Sequence, residues 1–218
     1  MTQTGRRVFY ECTSLVQVFF EVPSSLTSIS SDIFEDCSSL EEITIPSSVT
    51  SIKSGAFDGC SSLKEISLPC SLTLIGNSAF SQCSSLTKII LPSSLTSIGG
   101  FAFSYCTLLT EIVIPSSVTS IEYDAFRECS SLKEISLPSS IKEIAPSLFS
   151  KCTSLTKVTI PSSVTYIGNS AFNGCSSLSH IKIPYFVTEI GEKAFDKCTM
   201  IPFSVKITLQ CHKIFSSP

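Results

Sequence analysis

The sequence predicts an α/β-type repeat solenoid, in which each short unit forms one coil around a shared hydrophobic core. Three observations predict this fold. The phrase AFDGCSSLKEISLP at 56–69 returns as AFSQCSSLTKIILP at 79–92 and as AFSYCTLLTEIVIP at 102–115. The phrase recurs at a fixed period of 23 residues, which is typical of a solenoid. Hydrophobic residues make up 43% of the chain, which is enough to build a continuous core.

The units divide the chain without leaving room for a second domain. Seven regular units share the pattern L-x-x-I-x-I-P-x-S-V-T-S-I-G-x-x-A-F-x-x-C-S-S, with no insertion or deletion among them. They begin at Leu40, Leu63, Leu86, Leu109, Leu132, Leu155 and Leu178. We expect one solenoid over 1–218, composed of a partial unit at 1–14, an irregular unit at 15–39, the regular units at 40–200 and a degenerate terminal unit or cap at 201–218.

The first element of each unit is a short strand that ends at a proline. In the unit from Leu40, Ile43 and Ile45 alternate with Glu42 and Thr44, which predicts that the isoleucines face the core and the polar residues face solvent. The strand ends before proline, because proline cannot donate to a ladder. Copies stacked about 4.8 Å apart predict a parallel sheet along one face. The usual crossover between parallel strands predicts a right-handed coil.

The return path of each unit carries apolar residues at spacings of three and four. Val49, Ile52, Ala56 and Phe57 show this spacing, which suits a turn or a short 3-10 segment facing the same core. A glycine after the isoleucine predicts a tight bend in several units. These glycines are Gly76, Gly99, Gly168 and Gly191. Other residues replace the glycine elsewhere, so a positive φ is not required in every coil.

One phenylalanine position is constant through the array. We expect these rings to stack as an aromatic spine that holds the coils in register. They are Phe34, Phe57, Phe80, Phe103, Phe126, Phe149, Phe172 and Phe195.

A cysteine position runs beside the phenylalanines. Equivalent residues of neighbouring coils lie about 4.8 Å apart with parallel Cβ vectors, which does not suit a disulfide. There is no C-x-x-C, and a linear ladder cannot surround a tetrahedral ion. We therefore expect buried free thiols and no metal. The ladder comprises Cys12, Cys37, Cys60, Cys83, Cys106, Cys129, Cys152, Cys175 and Cys198, and leaves out Cys70 and Cys211.

The combination of period, proline, A-F pair and cysteine resembles the BspA-like class of leucine-rich repeats, from Phe9 to Cys198. The resemblance implies a curved leucine-rich-repeat solenoid, with its sheet on the concave face, used for adhesion or protein binding on or near the cell surface. Most leucine-rich repeats have an asparagine after the strand that binds the backbone. A serine stands there in this chain, at Ser48, Ser71, Ser94, Ser117, Ser140 and Ser163, and Phe186 breaks the series.

The sequence offers no catalytic constellation, so we expect no enzyme, no catalytic residue and no cofactor. His180 falls on an outward strand position, where a solvated surface residue is expected. Cys211 and His212 are adjacent in sequence, which is not the spatial dyad that a thiol nucleophile needs. The G-x-G-x-x-G and P-loop spacings are absent.

Charge and hydropathy exclude other classes of partner. The net charge is −3, and no basic run extends beyond Arg6 and Arg7, so we expect no nucleic-acid binding. No apolar run approaches the roughly 18 residues of a membrane span, so we expect no membrane insertion. The N-terminus lacks the apolar region of a secretory signal. A cytoplasmic location is therefore the alternative to the surface location that the resemblance implies.

Positions that vary while the frame stays constant are the candidates for binding. On the outward strand positions, Ile90 and Val113 form an apolar pair in adjacent coils, bordered by Lys88 and Glu111. An apolar centre with a polar rim is typical of an interface, although β-branched residues also favour strands. The candidate surface comprises Glu65, Lys88, Ile90, Glu111, Val113, Glu134 and Lys157.

A second candidate patch lies on the return path of the same coils. Phe101, Tyr105 and Tyr123 replace small or polar residues, and Leu108 replaces a serine. Aromatic residues are enriched at interfaces, but these could equally pack on one another to cover a local gap.

These observations favour a non-catalytic module that binds a protein, with a host or extracellular-matrix protein as the candidate partner. The alternative is a structural element whose copies associate end to end, because the terminal coils of a solenoid expose strand edges.

Overall fold

The computed structural model describes residues 5–20 and 24–201. The degenerate terminal unit expected after Ile201, including Cys211 and His212, lies outside the described residues. The strands run in chain order as β1 (Gln17–Val18), β2 (Ser28–Ile29), β3 (Glu42–Ile43), β4 (Ser51–Ile52), β5 (Glu65–Ile66), β6 (Leu74–Ile75), β7 (Lys88–Ile89), β8 (Ser97–Ile98), β9 (Ser120–Ile121), β10 (Glu134–Ser136), β11 (Glu143–Ile144), β12 (Lys157–Thr159), β13 (Tyr166–Ile167), β14 (His180–Ile181) and β15 (Glu189–Ile190).

The predicted strand before the proline is confirmed. Strands β1, β3, β5, β7, β10, β12 and β14 form a first ladder, in which equivalent residues of successive coils pair in parallel. An isolated bridge from Thr44 to Ser67 connects the run of β1 and β3 to that of β5 and β7, and one from Lys88 to Glu111 extends it by one coil. The strands β10, β12 and β14 form a separate run of the same ladder. Ile43 and Ile45 are buried, whereas Glu42 and Thr44 are exposed, as the alternation predicts.

The return path contains a second parallel ladder, which the sequence analysis did not predict. It consists of two parallel sheets, one with β2, β4, β6, β8 and β9 and the other with β11, β13 and β15. The V-T-S-I stretch is rich in β-branched residues, which suit a strand. Its amides reach the preceding coil, since Thr50 N donates to Thr27 O at 2.9 Å and Lys53 N donates to Ile29 O at 2.9 Å. The apolar spacing that suggested a 3-10 segment therefore spans a strand and the bend after it.

No α-helix or 3-10 helix occurs between residues 5–20 or 24–201, so the α/β description and the 3-10 segments are not confirmed. The fold there is a β-solenoid of stacked coils joined by turns. The turn at A-F-x-x-C is the part of the return path where the predicted turn is found.

Each turn is shaped by two residues in the left-handed region, one before the A-F pair and one after it. In the coil of Ala56 these are Gly55 at φ 65° and Gly59 at φ 75°, and in the coil of Ala102 they are Phe101 at φ 56° and Tyr105 at φ 60°. Non-glycine residues hold most of these positions, since the turn amides donate to the next coil. Phe57 N, for example, donates to Ala79 O at 2.9 Å.

The glycines after the isoleucine have a different role from the left-handed turn residues. At Gly76 the φ angle is not positive, and a Cβ would lie 2.7 Å from the backbone nitrogen of Ser54 in the preceding coil. Glycine therefore lets two coils approach closely at this position.

The predicted aromatic spine is confirmed, and Phe9 extends it at its start. Neighbouring rings stack with centroids 5.1–5.7 Å apart and planes within 17° of each other. The rings from Phe34 to Phe172 are fully buried, while Phe195 is partly buried. The spine therefore runs through the centre of the core and ties each coil to the next.

The cysteine ladder is free and, apart from the half-buried Cys12, buried, as predicted. The structure adds a hydrogen bond to that prediction: each buried thiol points at a phenylalanine carbonyl of the preceding turn. Cys106 Sγ donates to Phe80 O at 3.2 Å, and Cys129 Sγ donates to Phe103 O at 3.1 Å. Burial raises the pKa of the Cys37 thiol to about 11. Burial likewise raises the thiol pKa at the next five rungs, from Cys60 to Cys152, so these six thiols remain neutral and unreactive at physiological pH.

The serines at the asparagine position bind the backbone of the preceding coil. Ser94 Oγ donates to Leu72 O and Ser163 Oγ donates to Ile141 O, each at 2.6 Å. A short side chain suffices because the carbonyl lies directly beneath it. Phe186, which breaks the series, instead turns outward and is 60% exposed.

Candidate functional site

The outward residues of the first ladder form one exposed surface, which we name the first-sheet face. Two columns of side chains define it, one beginning each strand and one two residues later. The columns comprise Glu42, Glu65, Lys88, Glu111, Glu134, Lys157 and His180, and Thr44, Ser67, Ile90, Val113, Ser136, Thr159 and Lys182. All of these residues are exposed, so the frame beneath them does not dictate their identity.

The predicted apolar pair lies at the middle of this face. Ile90 is 71% exposed and Val113 is 79% exposed, although both are β-branched residues with full-sized apolar side chains. Beside them, Lys88 Nζ lies 3.6 Å from Glu111 Oε1. Both ends of this ion pair are well exposed, so it contributes little to stability. The pair and its charged border are therefore available for an interface.

The first ladder is loosely paired at this point. Glu111 joins Lys88 through an isolated bridge, and Thr110 N reaches Thr87 O at 3.4 Å, whereas Glu41 N reaches Val16 O at 2.9 Å. No sequence signal marked this difference. The backbone under Val113 is held less tightly than at the start of the ladder.

Several of the predicted residues lie together in a shallow depression of about 290 Å³. Glu65, Lys88 and Ile90 line it with Cys70, which is exposed and lies outside the cysteine ladder. Val113 lies in the neighbouring coil and does not line this depression. Further along the face, Lys157 Nζ lies 3.5 Å from Glu134 Oε2, which places the remaining predicted residues in a second surface ion pair.

The second candidate patch is only partly assembled. Phe101 and Tyr123 meet edge to face, with ring centroids 5.3 Å apart. The Tyr123 ring covers Gly100, where an added Cβ would lie 2.9 Å from the ring. This packing favours the alternative in which the two rings cover a local gap. Tyr105 lines a separate depression, and Leu108 is 50% exposed.

A third cluster, at the far end of the first-sheet face, was not recognised from the sequence. Tyr185 is 93% exposed and meets Phe186 edge to face, with ring centroids 5.6 Å apart. The two rings border a cleft of about 600 Å³ whose lining includes Lys157, His180 and Lys182. The available signal was the replacement of the usual P-S-S by P-Y-F in the last regular unit.

His180 occupies the exposed outward position that the sequence predicted. Its Nδ1 lies 3.0 Å from the hydroxyl of Ser179, which is the neighbouring residue. In the part of the chain that the structure describes, no group of three or more His, Cys, Asp or Glu residues is arranged to hold a metal ion. No helix within the described ranges has the length and apolar character needed to cross a membrane.

Comparisons with known proteins agree with this architecture. The family model for the BspA type leucine rich repeat region matches this chain in six copies, over residues 2–110 and 96–217. No curated protein matches the chain. A leucine-rich repeat protein of T. pallidum is 30% identical over 88% of this chain and 79% of its own, with a TM-score of 0.67.

Two further crystal structures have the same fold. A leucine-rich cell surface protein of Faecalibacterium prausnitzii is 28% identical over 92% of this chain and 68% of its own, with a TM-score of 0.58. A leucine-rich repeat protein of Bacteroides ovatus is 28% identical over 92% of this chain and 69% of its own, with a TM-score of 0.51. Together with the stacked coils and their internal ladders, the family match shows that the chain belongs to the BspA-type leucine-rich repeat family.

Proposed function

We propose that this protein is a non-catalytic protein-binding or adhesion module that presents the first-sheet face to its partner. One observation carries the proposal: Ile90 and Val113 stand exposed side by side on a surface whose other outward residues are mainly polar. Interfaces bury an apolar centre inside a polar rim, and the Lys88–Glu111 pair provides part of such a rim.

The solenoid supports this use of the face. The isoleucines, phenylalanines and cysteines that hold the coils together all point inward, so outward residues can change without loss of the core. Surface charges of both signs along the column allow a partner to be selected by charge pattern as well as by shape.

The surface location belongs to the same proposal. The Faecalibacterium prausnitzii relative is described as a cell surface protein. By that likeness, we place this protein at a cell surface, where a host or extracellular-matrix protein is the candidate partner.

Affinity capture with matched baits tests the proposal. The baits are the unaltered protein, Val113→Lys and Thr119→Lys. The two variants alter the same coil and introduce the same side chain, but Thr119 is exposed beside the second ladder, where Lys142 stands naturally in the next coil. We expect a partner that the unaltered and Thr119→Lys baits retain equally. Retention by Val113→Lys should fall about tenfold, since a charge enters an interface centre.

Equal retention by all three baits would contradict the proposal. A Tyr123→Ser bait then locates the interaction, because loss with that bait alone assigns binding to the return path. Circular dichroism of each bait confirms that the coils are intact.

End-to-end self-association is the second candidate, and exposed apolar side chains in the first described coil favour it. Val8, Val16 and Phe19 are 55%, 53% and 72% exposed. This candidate requires the apparent molar mass from light scattering of the purified protein to rise with concentration, whereas a binding module without its partner keeps a constant molar mass.

A further inference from the structure

The cleft beside Tyr185 and Phe186 has features that the apolar pair at Ile90 and Val113 lacks. It is a concave space of about 600 Å³, within the range of protein sites that hold a peptide side chain or a small ligand. It lies on the same first-sheet face but about three coils further along, roughly 14 Å away at the spacing of stacked strands. The cleft therefore can be altered without touching the central pair.

The rim of the cleft is cationic. Lys157, His180 and Lys182 line it, and none of the described lining residues carries a carboxylate. Lys157 is paired with Glu134 at 3.5 Å, but both side chains are more than half exposed, so the pair can open at little cost. Lys182 is exposed and has no ion-pair partner among the described residues. The charge of Lys182 is thus uncompensated, and Lys157 adds a second positive charge when its exposed pair with Glu134 opens.

The floor and the end wall are apolar. Val158, Ile160 and Ile181 form the buried floor, with exposed fractions of 3%, 9% and 8%. The wall is made by Tyr185 and Phe186, whose edge-to-face contact holds both rings in place. Exposed aromatic rings of this kind are favoured as anchors for binding, since they bury a large area at small entropic cost.

The two rings stand where other coils have serines. The positions of Tyr185 and Phe186 are held by Ser47 and Ser48 in the first regular unit and by Ser93 and Ser94 two units later. The Ser94 hydroxyl donates to Leu72 O of the preceding coil. Phe186 cannot make that hydrogen bond, so this coil has exchanged a stabilising contact for an exposed aromatic wall. The exchange has no benefit for the core, because both rings point away from it.

We propose that this cleft is a second binding site of the module, which takes an acidic peptide segment of the partner with at least one large apolar side chain. The carboxylates of the peptide lie along Lys157 and Lys182, beside the His180 ring, and its apolar side chain enters between the floor and the two rings. The inference rests on the proposed function only in taking the partner to be a protein.

The lining favours a peptide over a sugar polymer. Sugar hydroxyls need donors and acceptors at fixed positions, and the described lining offers the hydroxyls of Thr159, Ser162 and Tyr185 but no carboxylate or carboxamide. A peptide with alternating acidic and apolar residues instead matches both the cationic rim and the apolar floor.

Direct titration of the full chain with defined probes tests the inference. The probes are a capped peptide that alternates glutamate with leucine, the same peptide with lysine in place of glutamate, and an oligosaccharide of galacturonate. We expect the glutamate peptide to bind and the other two to bind at least about tenfold more weakly, since charge and apolar contact are both required. Raising the salt concentration should lower the affinity for the glutamate peptide, because the rim charges are exposed and are screened by salt.

Three variants complete the test. Tyr185→Ser combined with Phe186→Ser restores the serines of other coils, so the fold should persist while peptide affinity falls at least about tenfold. Lys182→Thr introduces the threonine that the preceding coil has at the equivalent position, Thr159, and should lower the peptide affinity by a similar factor. Ile90→Thr combined with Val113→Thr should bind the peptide normally.

The inference is overturned if the glutamate peptide does not bind, or if the lysine peptide or the galacturonate oligosaccharide binds as tightly as the glutamate peptide. It is also overturned if the variant with serines at 185 and 186 retains full affinity for the glutamate peptide. Loss of affinity in the Ile90 and Val113 variant would also overturn it, by assigning the peptide to the central pair. Failure of the Val113→Lys capture experiment leaves peptide binding in this cleft unaffected, so the two proposals fail separately.

Discussion

At the scale of single residues, the core depends on phenylalanines whose rings each stack on a ring of the preceding coil and on a ring of the next. Phe103 is fully buried and lies 5.5 Å, between ring centroids, from both Phe80 and Phe126. Removing such a ring leaves a cavity and interrupts the contact between two coils. The end of the spine differs, because Phe195 has one stacked neighbour in the described chain and is only partly buried.

Phe103→Ala should therefore lower the free energy of unfolding by about 3–5 kcal/mol, the usual cost of a buried phenylalanine truncation. Phe195→Ala should cost clearly less, because the site is open to solvent on one side. Urea unfolding followed by circular dichroism measures both. Equal costs for the two variants would show that the spine does not act through its buried stacking.

Sequence reasoning at this scale identified inward and outward residues well. Alternation alone placed Ile43 and Ile45 inside and Lys88, Ile90 and Val113 outside, since the strand period is two. It did not identify the left-handed turn residues, such as Phe101 and Tyr105, because tertiary hydrogen bonds hold non-glycine residues in that conformation.

At the scale of elements, six rungs of the cysteine ladder form a column of neutral thiols that ionise more readily in the unfolded chain. Burial raises the thiol pKa at six successive rungs, and in the unfolded chain the pKa returns to about 8.5. These rungs are Cys37, Cys60, Cys83, Cys106, Cys129 and Cys152. Between the two pKa values the folded state binds more protons than the unfolded state, so stability falls as pH rises.

The free energy of unfolding should accordingly decline steeply above about pH 8.5, by about 2 kcal/mol per buried thiol at about pH 10. Urea unfolding at a series of pH values, with a reductant present, measures the decline. Cys106→Ser retains a donor for the Phe80 carbonyl but does not titrate, so its slope should be shallower by about 1.4 kcal/mol per pH unit. Stability that stays constant to about pH 10 would contradict the buried ladder.

The second strand ladder shows why one element was missed. Its strands are two residues long, as in Ser51–Ile52, and two residues cannot display an alternation. Their pairing depends on contact with equivalent residues 23 positions away, such as Leu74–Ile75, rather than on local propensity. The sequence of a single unit therefore suggests a bend rather than a strand at this position.

At the scale of the whole molecule, the constant positions build the solenoid and the departures from the pattern mark its candidate binding surfaces. Ile90 and Val113 were recognised because they break a polar column. Tyr185 and Phe186 break the serine pair just as clearly, but their importance depends on lying beside the cations Lys157 and Lys182 in space. That proximity follows from how the chain turns after the strand, which the repeat pattern does not specify.

A partner that covers the first-sheet face must shield the lysines of that face, and lysine acylation of the captured complex measures this shielding. Lys88, Lys157 and Lys151 are 57%, 54% and 51% exposed, so they are equally accessible in the free protein. Lys88 and Lys157 lie on the first-sheet face, whereas Lys151 lies in a turn of the return path. The rate at each lysine is read by mass spectrometry in the free and bound protein. We predict slower acylation of Lys88 and Lys157 in the complex with Lys151 unchanged, whereas protection of Lys151 with Lys88 and Lys157 unchanged would contradict the assignment.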